Sequence, residues 1–449
     1  MISREKLKES RLTEIFSSKR KFATFLNENE FVASPDKSRV SGRMFYLSNY
    51  VLLKENVKRA WLNYFFTSED GLKTKLLDSP ILTSEGVLKR SGHLKNFVYL
   101  AKLCKNCSFR VKEEVVKCLN CDSRVFGKPK EFSLLFRTEG SSENLYLRPE
   151  TTQGALLSLP FFPLVKDTDF PFLICQSGKS FRNEITLKSF IKLKEFEQLE
   201  LEYFFLPKSL QRDPELNFKE WIQKTESFFL FLGFSRQKIR MNFLKKEERA
   251  HYMVSGCDLE YFDSDLGWIE LASISYRGDY DFRNHMKVVG ANSSLVKLSP
   301  HLVEVSIGLD RLCFAILRSF FFEKMVRVSK KHRLILNLPI FLAPYSVAVL
   351  PLVFVHRSYA REVFRQVKKL GIMVKYSESK SIGRRYRQQD VIGTPWCITV
   401  DDISIREGSV SIRKRNDMSQ KRVLRSELGK FILEAVHLPG ELEKKWSKK

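Results

Sequence analysis

The sequence predicts an α+β protein, in which an antiparallel sheet flanked by helices precedes a separate α/β domain. In the first part, segments 172–184, 251–262 and 268–276 have the composition of strands, without long helices between them, which favours antiparallel pairing. In the last hundred residues strands alternate with helices, which predicts at least partly parallel pairing. A chain of 449 residues is long enough for two or three domains.

The N-terminal part is predicted to be helical. Residues 1–30 have apolar side chains at helical spacing and predict an amphipathic helix. A second helix is predicted over 54–66, and a short apolar strand follows at about 76–82.

One segment shows the period of a strand most clearly. Leu199, Leu201 and Tyr203 fall on one side of an extended backbone, and Glu200 and Glu202 fall on the other. We therefore expect a half-buried strand with carboxylates on its open face.

The C-terminal domain is predicted from alternating patterns. Gly, which readily adopts a positive φ, can end its first helix at Gly371. The predicted elements are, in order, a strand at 346–353, a helix at 359–370, a strand at 373–377, a helix at 384–391 and a strand at 396–400.

The most apolar stretch, Leu334–Val355, is long enough to suggest a membrane helix. Three prolines interrupt it, so a loop that leads into a buried strand is the better interpretation. The N-terminus is charged and lacks the apolar region of a signal peptide. A cytoplasmic protein without a membrane segment is expected.

Four of the eight cysteines form two Cys-x-x-Cys pairs, Cys104/Cys107 and Cys118/Cys121, with ten residues between the pairs. Two such knuckles offer four thiolates to one tetrahedral ion, which favours a structural Zn²⁺ site at about 100–125 over two disulfides in a reducing compartment. The other cysteines lie singly in apolar surroundings and are expected in the core, at Cys175, Cys257, Cys313 and Cys397.

The charge of the chain suggests a polyanionic partner. With 77 Lys and Arg against 52 Asp and Glu, the formal net charge is +25, while 43% hydrophobic residues exclude a disordered polyelectrolyte. Residues 356–449 contain 22 basic and 11 acidic residues, a net +11 and about twice their proportional share. This domain is therefore the first candidate for nucleic-acid contact, with Arg384, Arg385 and Arg387 among the expected contacts.

Polar residues interrupt the strand-like context in four segments. These are Leu147-Arg-Pro-Glu-Thr-Thr-Gln-Gly154; Gly178-Lys-Ser-Phe-Arg-Asn-Glu184 with Lys194-Glu-Phe-Glu-Gln-Leu-Glu200; Trp268-Ile-Glu-Leu271 with Arg277-Gly-Asp-Tyr-Asp281; and Glu304-Val-Ser-Ile-Gly-Leu-Asp-Arg311.

Together the four segments suggest a nucleotide site. Arg182 and Arg311 are able to bind a triphosphate through bidentate contacts, Glu184 and Glu270 to hold Mg²⁺ or the base, and Phe196 to stack on a purine. Gly308 allows a ligand to approach the backbone closely. No Walker loop and no Gly-x-Gly-x-x-Gly occurs in the sequence, so a P-loop or Rossmann site is not supported.

The four segments occur in the order found in class II aminoacyl-tRNA synthetases, and the sequence most resembles the homodimeric glycyl-tRNA synthetases. Arg148-Pro-Glu-Thr-Thr-Gln-Gly154 is similar to that family's RPETAQG, Glu195-Phe-Glu-Gln-Leu-Glu200 to its EFEQME, and Ser306-Ile-Gly-Leu-Asp-Arg311 to its motif 3. Ser91-Gly-His93 and the segment 381–395 also resemble the family, and the likeness extends over about 75–428. Where the family has RTR and ELEGI, this chain has Lys192-Leu-Lys194 and Glu270-Leu-Ala-Ser-Ile274.

The resemblance implies a class II catalytic domain at 1–335 with a zinc-knuckle insertion, and an anticodon-binding domain at 336–449. The implied activity is the ATP-dependent attachment of glycine to tRNA(Gly) through a glycyl-adenylate, with Mg²⁺, by a homodimer. Such a reaction requires positioning and cationic stabilisation rather than a nucleophilic side chain. Because a small pocket rejects larger amino acids, an editing site is not needed.

The resemblance also implies roles for particular residues. Arg182 and Arg311 are the implied catalytic residues, at the α- and γ-phosphates, and Glu270 is the implied Mg²⁺ ligand. The implied ATP-binding residues are Arg182, Asn183, Glu184, Lys192, Lys194, Phe196, Glu270, Leu271, Gly308 and Arg311. The implied glycine-binding residues are Arg110, Glu150, Phe196, Glu197, Gln198, Glu200, Glu304, Ser306 and Gly308.

Two alternatives stay open at the level of the sequence. One is a non-catalytic nucleic-acid-binding protein on a synthetase scaffold, which would be expected to lose the phosphate-binding arginines, although Arg182 and Arg311 are both present. The other is a class II synthetase for another small amino acid, since Ala272 and Ser273 stand where the family has Glu and Gly.

Overall fold

A computed structural model shows how the chain folds. The structure describes residues 22–33, 44–66, 72–139, 143–162, 170–185, 191–207, 213–285, 299–326 and 331–437. Of the predicted helix at 1–30, residues 22–28 are helical and residues 29–30 form a turn. Residues 1–21 lie outside the described residues.

The strands are β1 (Val32–Ala33), β2 (Phe45–Tyr46), β3 (Lys73–Leu77), β4 (Leu82–Ser84), β5 (Val98–Leu103), β6 (Arg110–Lys112), β7 (Lys130–Ser133), β8 (Phe136–Arg137), β9 (Leu145–Leu147), β10 (Phe172–Phe181), β11 (Glu195–Phe205), β12 (Ile239–Phe243), β13 (Ser255–Asp263), β14 (Gly267–Gly278), β15 (His301–Gly308), β16 (Phe321–Val326), β17 (Lys331–Leu336), β18 (Val347–Pro351), β19 (Val374–Tyr376), β20 (Trp396–Val400), β21 (Ser409–Lys414) and β22 (Gln420–Leu424).

After residues 22–28, the α-helices are α1 (Ser48–Phe65), α2 (Glu85–Arg90), α3 (His93–Asn96), α4 (Thr152–Ser158), α5 (Pro214–Phe231), α6 (Tyr280–His285), α7 (Leu309–Phe320), α8 (Arg357–Lys368), α9 (Ile382–Ile392), α10 (Asp402–Glu407) and α11 (Leu428–His437). Short 3₁₀ helices lie at Leu159–Phe161, Arg236–Lys238, Lys246–Glu248, Ile340–Leu342 and Phe354–His356.

The described residues divide into two compact units. One contains those within Ser34–Phe45 and Trp61–Ala315, and the other those within Met1–Ala33, Tyr46–Ala60 and Ile316–Lys449. The proposed functional boundary between 335 and 336 stays a prediction. Within the described residues, no helix has both the length and the apolar character needed to cross a bilayer.

The unit built on Trp61–Ala315 contains a seven-stranded sheet in the order β12-β13-β14-β15-β11-β10-β3. Every pair is antiparallel except β10 with β3, so the predicted antiparallel sheet is confirmed. The predicted strand at 76–82 is wrong in its extent. Asp78-Ser-Pro80 interrupts it, because proline has no N–H to donate to a sheet, and the residues divide between β3 and β4.

The prediction that no long helix lies between these strands is also wrong. Helix α5 contains 18 residues and begins where the Asp213 carboxylate accepts a hydrogen bond from Glu215 N, with Pro214 in the first turn. Its inner face includes the buried side chains of Phe218, Trp221 and Phe228. The apolar residues on this face occur at helical spacing and pack the helix onto the sheet.

Strand β11 differs from the half-buried strand that the alternation predicts. Leu199 and Leu201 are buried on one face, but Glu200 (1% exposed) and Glu202 (0%) are buried on the other. The segment that leads into α4 covers this face, and Thr151 N lies 3.2 Å from Glu200 Oε2. The sequence of the strand alone does not show this cover, since it comes from residues about 50 positions away.

The other unit contains a five-stranded sheet in the order β19-β18-β20-β21-β22. Strand β18 pairs in parallel with β19 and β20, as the strand–helix alternation predicts, and the last two pairs are antiparallel. Side chains of these strands and of α8 and α11 form one apolar core that includes Val349, Val363, Ile398 and Ile432. The bounds of the five elements predicted between 346 and 400 agree with the observed ones within about two residues.

Arg385 was wrongly predicted to contact RNA. Its side chain is only 2% exposed, and its guanidinium donates to the carbonyl oxygens of Pro351 (2.6 Å), Leu352 (3.1 Å) and Ser377 (3.1 Å). These carbonyl groups belong to the last residue of β18 and to the residues that directly follow β18 and β19, where the sheet supplies fewer donors. Arg384 and Arg387, on the outer face of α9, are exposed.

Candidate active site

A cleft opens over the carboxylate-bearing face of β11, β14 and β15, and the segments after β10 and before β11 close its sides. The residues that line it are Glu150, Arg182, Glu184, Ile191, Lys192, Leu193, Phe196, Glu197, Gln198, Glu200, Tyr252, Met253, Glu270, Ser273, Glu304, Ser306, Gly308, Asp310 and Arg311. All of them belong to the unit built on Trp61–Ala315.

Arg182 follows β10 and is fixed in place before any ligand binds. Its guanidinium carbon lies 5.4 Å from the ring centroids of both Phe97 and Phe196, and its Nε donates to Pro149 O at 3.0 Å. Cation–π contacts with two rings and one hydrogen bond hold the guanidinium of Arg182, which lines the cleft. The arginine is therefore held ready for an anion.

Arg311 lies in the first turn of α7 at the same end of the cleft. Its Nε donates to Ile191 O at 2.9 Å, and Nη1 lies 3.2 Å from Glu270 Oε1. Both side chains are partly exposed, at 30% and 49%, so an incoming anion can compete for the arginine and a cation for the carboxylate. The adjacent Asp310 accepts a hydrogen bond from Glu197 N at 2.7 Å and ties α7 to β11.

At the other end of the cleft, Glu200 is surrounded by hydroxyl and amide donors. Its Oε1 accepts from Ser306 Oγ at 3.0 Å, and its Oε2 accepts from Thr151 N and from the Thr151 hydroxyl. Burial, reinforced by the charges of Glu304 and Glu150, raises the pKa of Glu200 to about 8. The carboxyl group is thus poised to ionise when a cation arrives.

Glu304 is the second buried carboxylate. It accepts hydrogen bonds from Thr152 Oγ1 (2.8 Å) and from Arg277, whose Nε donates to Asp281 at 2.6 Å. Burial alone would raise the pKa of Asp281, but the guanidinium of Arg277 holds it below the ordinary value. Arg277 therefore balances two carboxylates beneath the cleft.

Glu202 lies opposite Glu304 on the neighbouring strand, and neither of its side-chain oxygens has a hydrogen-bond partner. Its burial, together with the charges of Glu304 and Glu200, raises its pKa well above the usual value. The shift favours the neutral form of Glu202, which avoids a third buried negative charge.

Most of the residues singled out in the sequence line this one cleft. They are Glu150, Arg182, Glu184, Lys192, Phe196, Glu197, Gln198, Glu200, Glu270, Glu304, Ser306, Gly308 and Arg311.

Four residues singled out in the sequence do not line the cleft: Arg110, Asn183, Lys194 and Leu271. Leu271 is a core residue (1% exposed), and Arg110 donates to Asn183 Oδ1 at 2.8 Å, a bond that fixes the segment after β10. The carbonyl of Lys194 accepts from Arg182 N at 2.9 Å.

Several residues of the site were not assigned from the sequence. Thr151, Thr152, Arg277 and Asp281 all stand inside the four polar segments, so the signal was present, but nothing in the sequence says which of them contacts a glutamate. Tyr252 is different, because it lies before β13 without a polar motif around it. Its ring packs 3.7 Å from the guanidinium carbon of Arg277, a contact that only the fold creates.

The four paired cysteines lie together in the small sheet region of β5, β6 and β7. Their Sγ atoms are all within 4.8 Å of one another, with 3.5 Å between Cys104 and Cys121 and 3.6 Å between Cys107 and Cys118. Four sulfur atoms placed tetrahedrally at about 2.3 Å from one Zn²⁺ would be about 3.8 Å apart. The donor set and its spacing thus fit a tetrahedral ion.

The two knuckles have the same backbone. In each, the amide four residues after the first cysteine donates to that cysteine's carbonyl, at 2.9 Å for Ser108 and 3.0 Å for Asp122. Both of these residues have a positive φ, of 56° and 62°. The equivalent turns aim both cysteine pairs at one point. The other four cysteines are buried, as predicted.

Two family models match the chain. Residues 135–320, which contain most of the cleft, match the tRNA synthetase class II core domain (G, H, P, S and T). Residues 346–435, which contain the five-stranded sheet, match the anticodon binding domain. The class II fold that the motifs imply is confirmed.

The chain is also similar to curated proteins over most of its length. It is 35% identical over 420 residues to a glycine–tRNA ligase of Mycoplasmopsis synoviae, with 85% of this chain and 91% of the relative covered. It is 35% identical over 430 residues to that of Geobacillus kaustophilus (86% and 91%) and 34% identical over 432 residues to that of Ureaplasma urealyticum (86% and 89%). With this identity and coverage, and with both domains matched, the chain belongs to the glycine–tRNA ligase family of class II aminoacyl-tRNA synthetases.

Proposed function

We propose that this protein attaches glycine to tRNA(Gly) in two steps, through a glycyl-adenylate. A carboxylate oxygen of glycine attacks the α-phosphorus of ATP, the bond to the β-phosphate breaks and pyrophosphate leaves. The acyl group then passes to the 3′ end of the tRNA. The observation that carries this proposal is the division of one cleft into an end with two arginines and an end with buried carboxyl groups.

The arginine end suits ATP. Arg182 would stabilise the charge that develops on the α-phosphate, and Arg311 would hold the γ-phosphate after exchanging its contact with Glu270. Phe196, which already packs on Arg182, offers a face to the adenine. Mg²⁺, bound with ATP, would neutralise phosphate charge, and the half-exposed Glu270 is placed to contact it.

The carboxyl end suits the α-ammonium group of glycine. Three carboxyl groups that are at least nine-tenths buried converge there, those of Glu150, Glu200 and Glu304. The less buried Ser306 lies beside them. Hydrogen bonds from Thr151 and Thr152 close the face behind them. A side chain larger than hydrogen would have to displace these fixed groups, so the pocket selects glycine by size.

ATP–pyrophosphate exchange tests the proposal. We expect glycine-dependent exchange by the purified chain and none with alanine or serine. Exchange with another amino acid but not with glycine would assign a different specificity, and a chain that binds tRNA without any exchange would be a non-catalytic relative. Arg311→Ala should reduce exchange about 10²–10³-fold, while Arg236→Ala, at an exposed position in the same unit, should not.

We further propose that Cys104, Cys107, Cys118 and Cys121 hold one structural Zn²⁺. The fit of the sulfur atoms to a tetrahedron supports this assignment. Purified protein should contain about one zinc per chain, Cys104→Ser should lose it, and Cys175→Ala, a change at a buried cysteine outside the cluster, should retain it. Equal metal content in all three proteins would contradict the assignment.

Family membership also supports a homodimer in the cytoplasm, with residues 1–335 as the catalytic part and 336–449 as the anticodon-binding part. Sedimentation of the purified chain at about twice its mass of 52.5 kDa is the expected result. A monomer that catalyses exchange would contradict the dimeric part of the proposal.

A further inference from the structure

His93 is a buried histidine next to the carboxyl end of the cleft. It begins α3, its side chain is 1% exposed, and its Nε2 lies 3.8 Å from Oε1 of Glu150. Neither of these two atoms has a hydrogen-bond partner. The other Glu150 oxygen is held at 2.7 Å by the amide of Thr152, so the carboxylate cannot turn away from the imidazole freely.

We assign the proton of the neutral His93 ring to Nδ1 from the contacts of Ser91. The Ser91 hydroxyl lies 3.2 Å from Leu88 O, which can only accept, and 2.6 Å from His93 Nδ1. A hydroxyl has one hydrogen, and in this assignment it donates that hydrogen to the carbonyl of Leu88 and accepts from Nδ1–H of His93. The Nε2 atom is then an acceptor that faces the carboxylate.

The surroundings oppose a second proton on the ring. Burial is the main cause that lowers the pKa of His93 to about 3, and the positive charges of Arg277 and Arg182 and the neighbouring His251 act in the same direction. Asp281 acts in the opposite direction but does not reverse the shift. The His251 Nε2–H donates to Ser91 O at 2.9 Å, so its own proton points away from His93.

We propose that His93 is a positioning residue of the amino-acid site, and that its Nε2 and Glu150 Oε1 together accept one hydrogen-bond donor. This rests on the proposed function, in which Glu150 contacts the α-ammonium group. The donor is a group with at least two polar hydrogens, either the ammonium itself or a water molecule between it and the ring. A cationic imidazole would neutralise Glu150, whereas an acceptor leaves its negative charge for the substrate.

Substitutions separate positioning from space filling. His93→Phe retains the ring volume beside Phe97 but removes the acceptor, and should raise KM for glycine about tenfold or more with KM for ATP unchanged. His93→Gln places an acceptor near the former Nε2 and should recover most of the loss. His301→Gln, at a histidine that contacts Tyr276 instead, is the matched control and should leave both constants unchanged.

Nitrogen-15 NMR of histidine-labelled full-length protein provides a readout that does not depend on activity. His93, assigned by its absence in His93→Phe, should show protonated Nδ1, unprotonated Nε2 and no titration between pH 5 and 9. If the ammonium is the donor, the Nε2 resonance should shift on addition of glycine. If water is the donor, the Nε2 resonance should already have the position of a hydrogen-bonded nitrogen without glycine and should stay there. An Nε2 resonance typical of a nitrogen without a hydrogen bond, both with and without glycine, would overturn the inference.

A protonated Nε2, or a ring that titrates near pH 6.5, would overturn the inference. So would a glycine KM that rises more for His93→Gln than for His93→Phe, because that order is expected of a residue that only fills space. Absence of exchange in the unmodified protein would instead refute the proposed function.

Discussion

At the scale of single residues, the surroundings of Glu200 matter more than its place in the sequence. Its alternation with Leu199 and Leu201 predicts a carboxylate in water, but it is buried among Thr151, Ser306 and other carboxyl groups. A carboxyl with a pKa near 8 is mostly protonated at pH 7, so its ionisation is coupled to the arrival of a cation. In the proposed function, the same burial that raises the pKa of Glu200 favours the binding of an ammonium group.

The pH dependence of glycine binding follows from this coupling. Below a pKa of about 8, the fraction of ionised Glu200 falls about tenfold per pH unit, so KM for glycine should decrease as the pH rises from 6 to 8. Initial rates of exchange at several glycine concentrations measure this. Glu200→Gln should raise KM and remove the slope, and a KM of the unmodified protein that is constant over this range would contradict the assignment.

At the scale of elements, α4 is closely packed against the segment after β3. Gly154 lies in α4, and a Cβ added there would lie 2.0 Å from Ser79 Oγ and 2.5 Å from Ser79 Cβ. Alanine is preferred over glycine in a helix by about 1 kcal/mol. Here the overlap is expected to outweigh that preference, because Ser79 is itself held by Gln176 and Arg148.

Gly154→Ala should therefore destabilise the protein by about 1–3 kcal/mol. The matched change is Gly383→Ala in α9, where an added Cβ meets nothing within 4 Å, and it should stabilise by about 0.5–1 kcal/mol. Urea unfolding of the two variants measures both effects. If Gly154→Ala were stabilising as well, helix propensity rather than contact would dominate at Gly154.

At the scale of the whole molecule, the basic residues that give the net charge of +25 have different roles. Three arginines of the C-terminal domain are buried and structural. Arg385 donates to carbonyl groups at strand ends, Arg413 pairs with Asp390 at 2.9 Å, and Arg415 donates to Gly393 O at 2.6 Å. The surface charge that is available to tRNA is accordingly smaller than the net +11 of residues 356–449.

The exposed arginines of α9 are the better candidates for RNA contact. Replacing Arg384 and Arg387 with alanine should weaken tRNA binding and reduce the slope of log affinity against log salt by up to about 2. Lys368→Ala with Lys369→Ala removes the same charge from the end of α8 and should leave the slope nearly unchanged. Filter binding at several salt concentrations measures it, and equal slopes for both pairs would attribute the effect to net charge alone.

The sequence alone determined the class of the fold, the two domains with different sheets, the cysteine cluster and most residues of the cleft. These are local properties: strand period, Cys-x-x-Cys spacing and short polar motifs are written in consecutive residues. The helix α5 also has a local signal, although the strand pattern did not predict it, since Asp213-Pro214 is itself a helix start signal.

Only the tertiary structure decided which polar groups are buried and what they contact. Arg385 and Arg387 stand two positions apart in one basic run, yet the first is buried and the second is exposed, because α9 turns one of them toward the ends of β18 and β19. Packing of segments that are distant in the chain likewise buries Glu202 and places His93 Nε2 3.8 Å from Glu150 Oε1. Burial and pKa depend on residues that are distant in the chain, so no local pattern contains them.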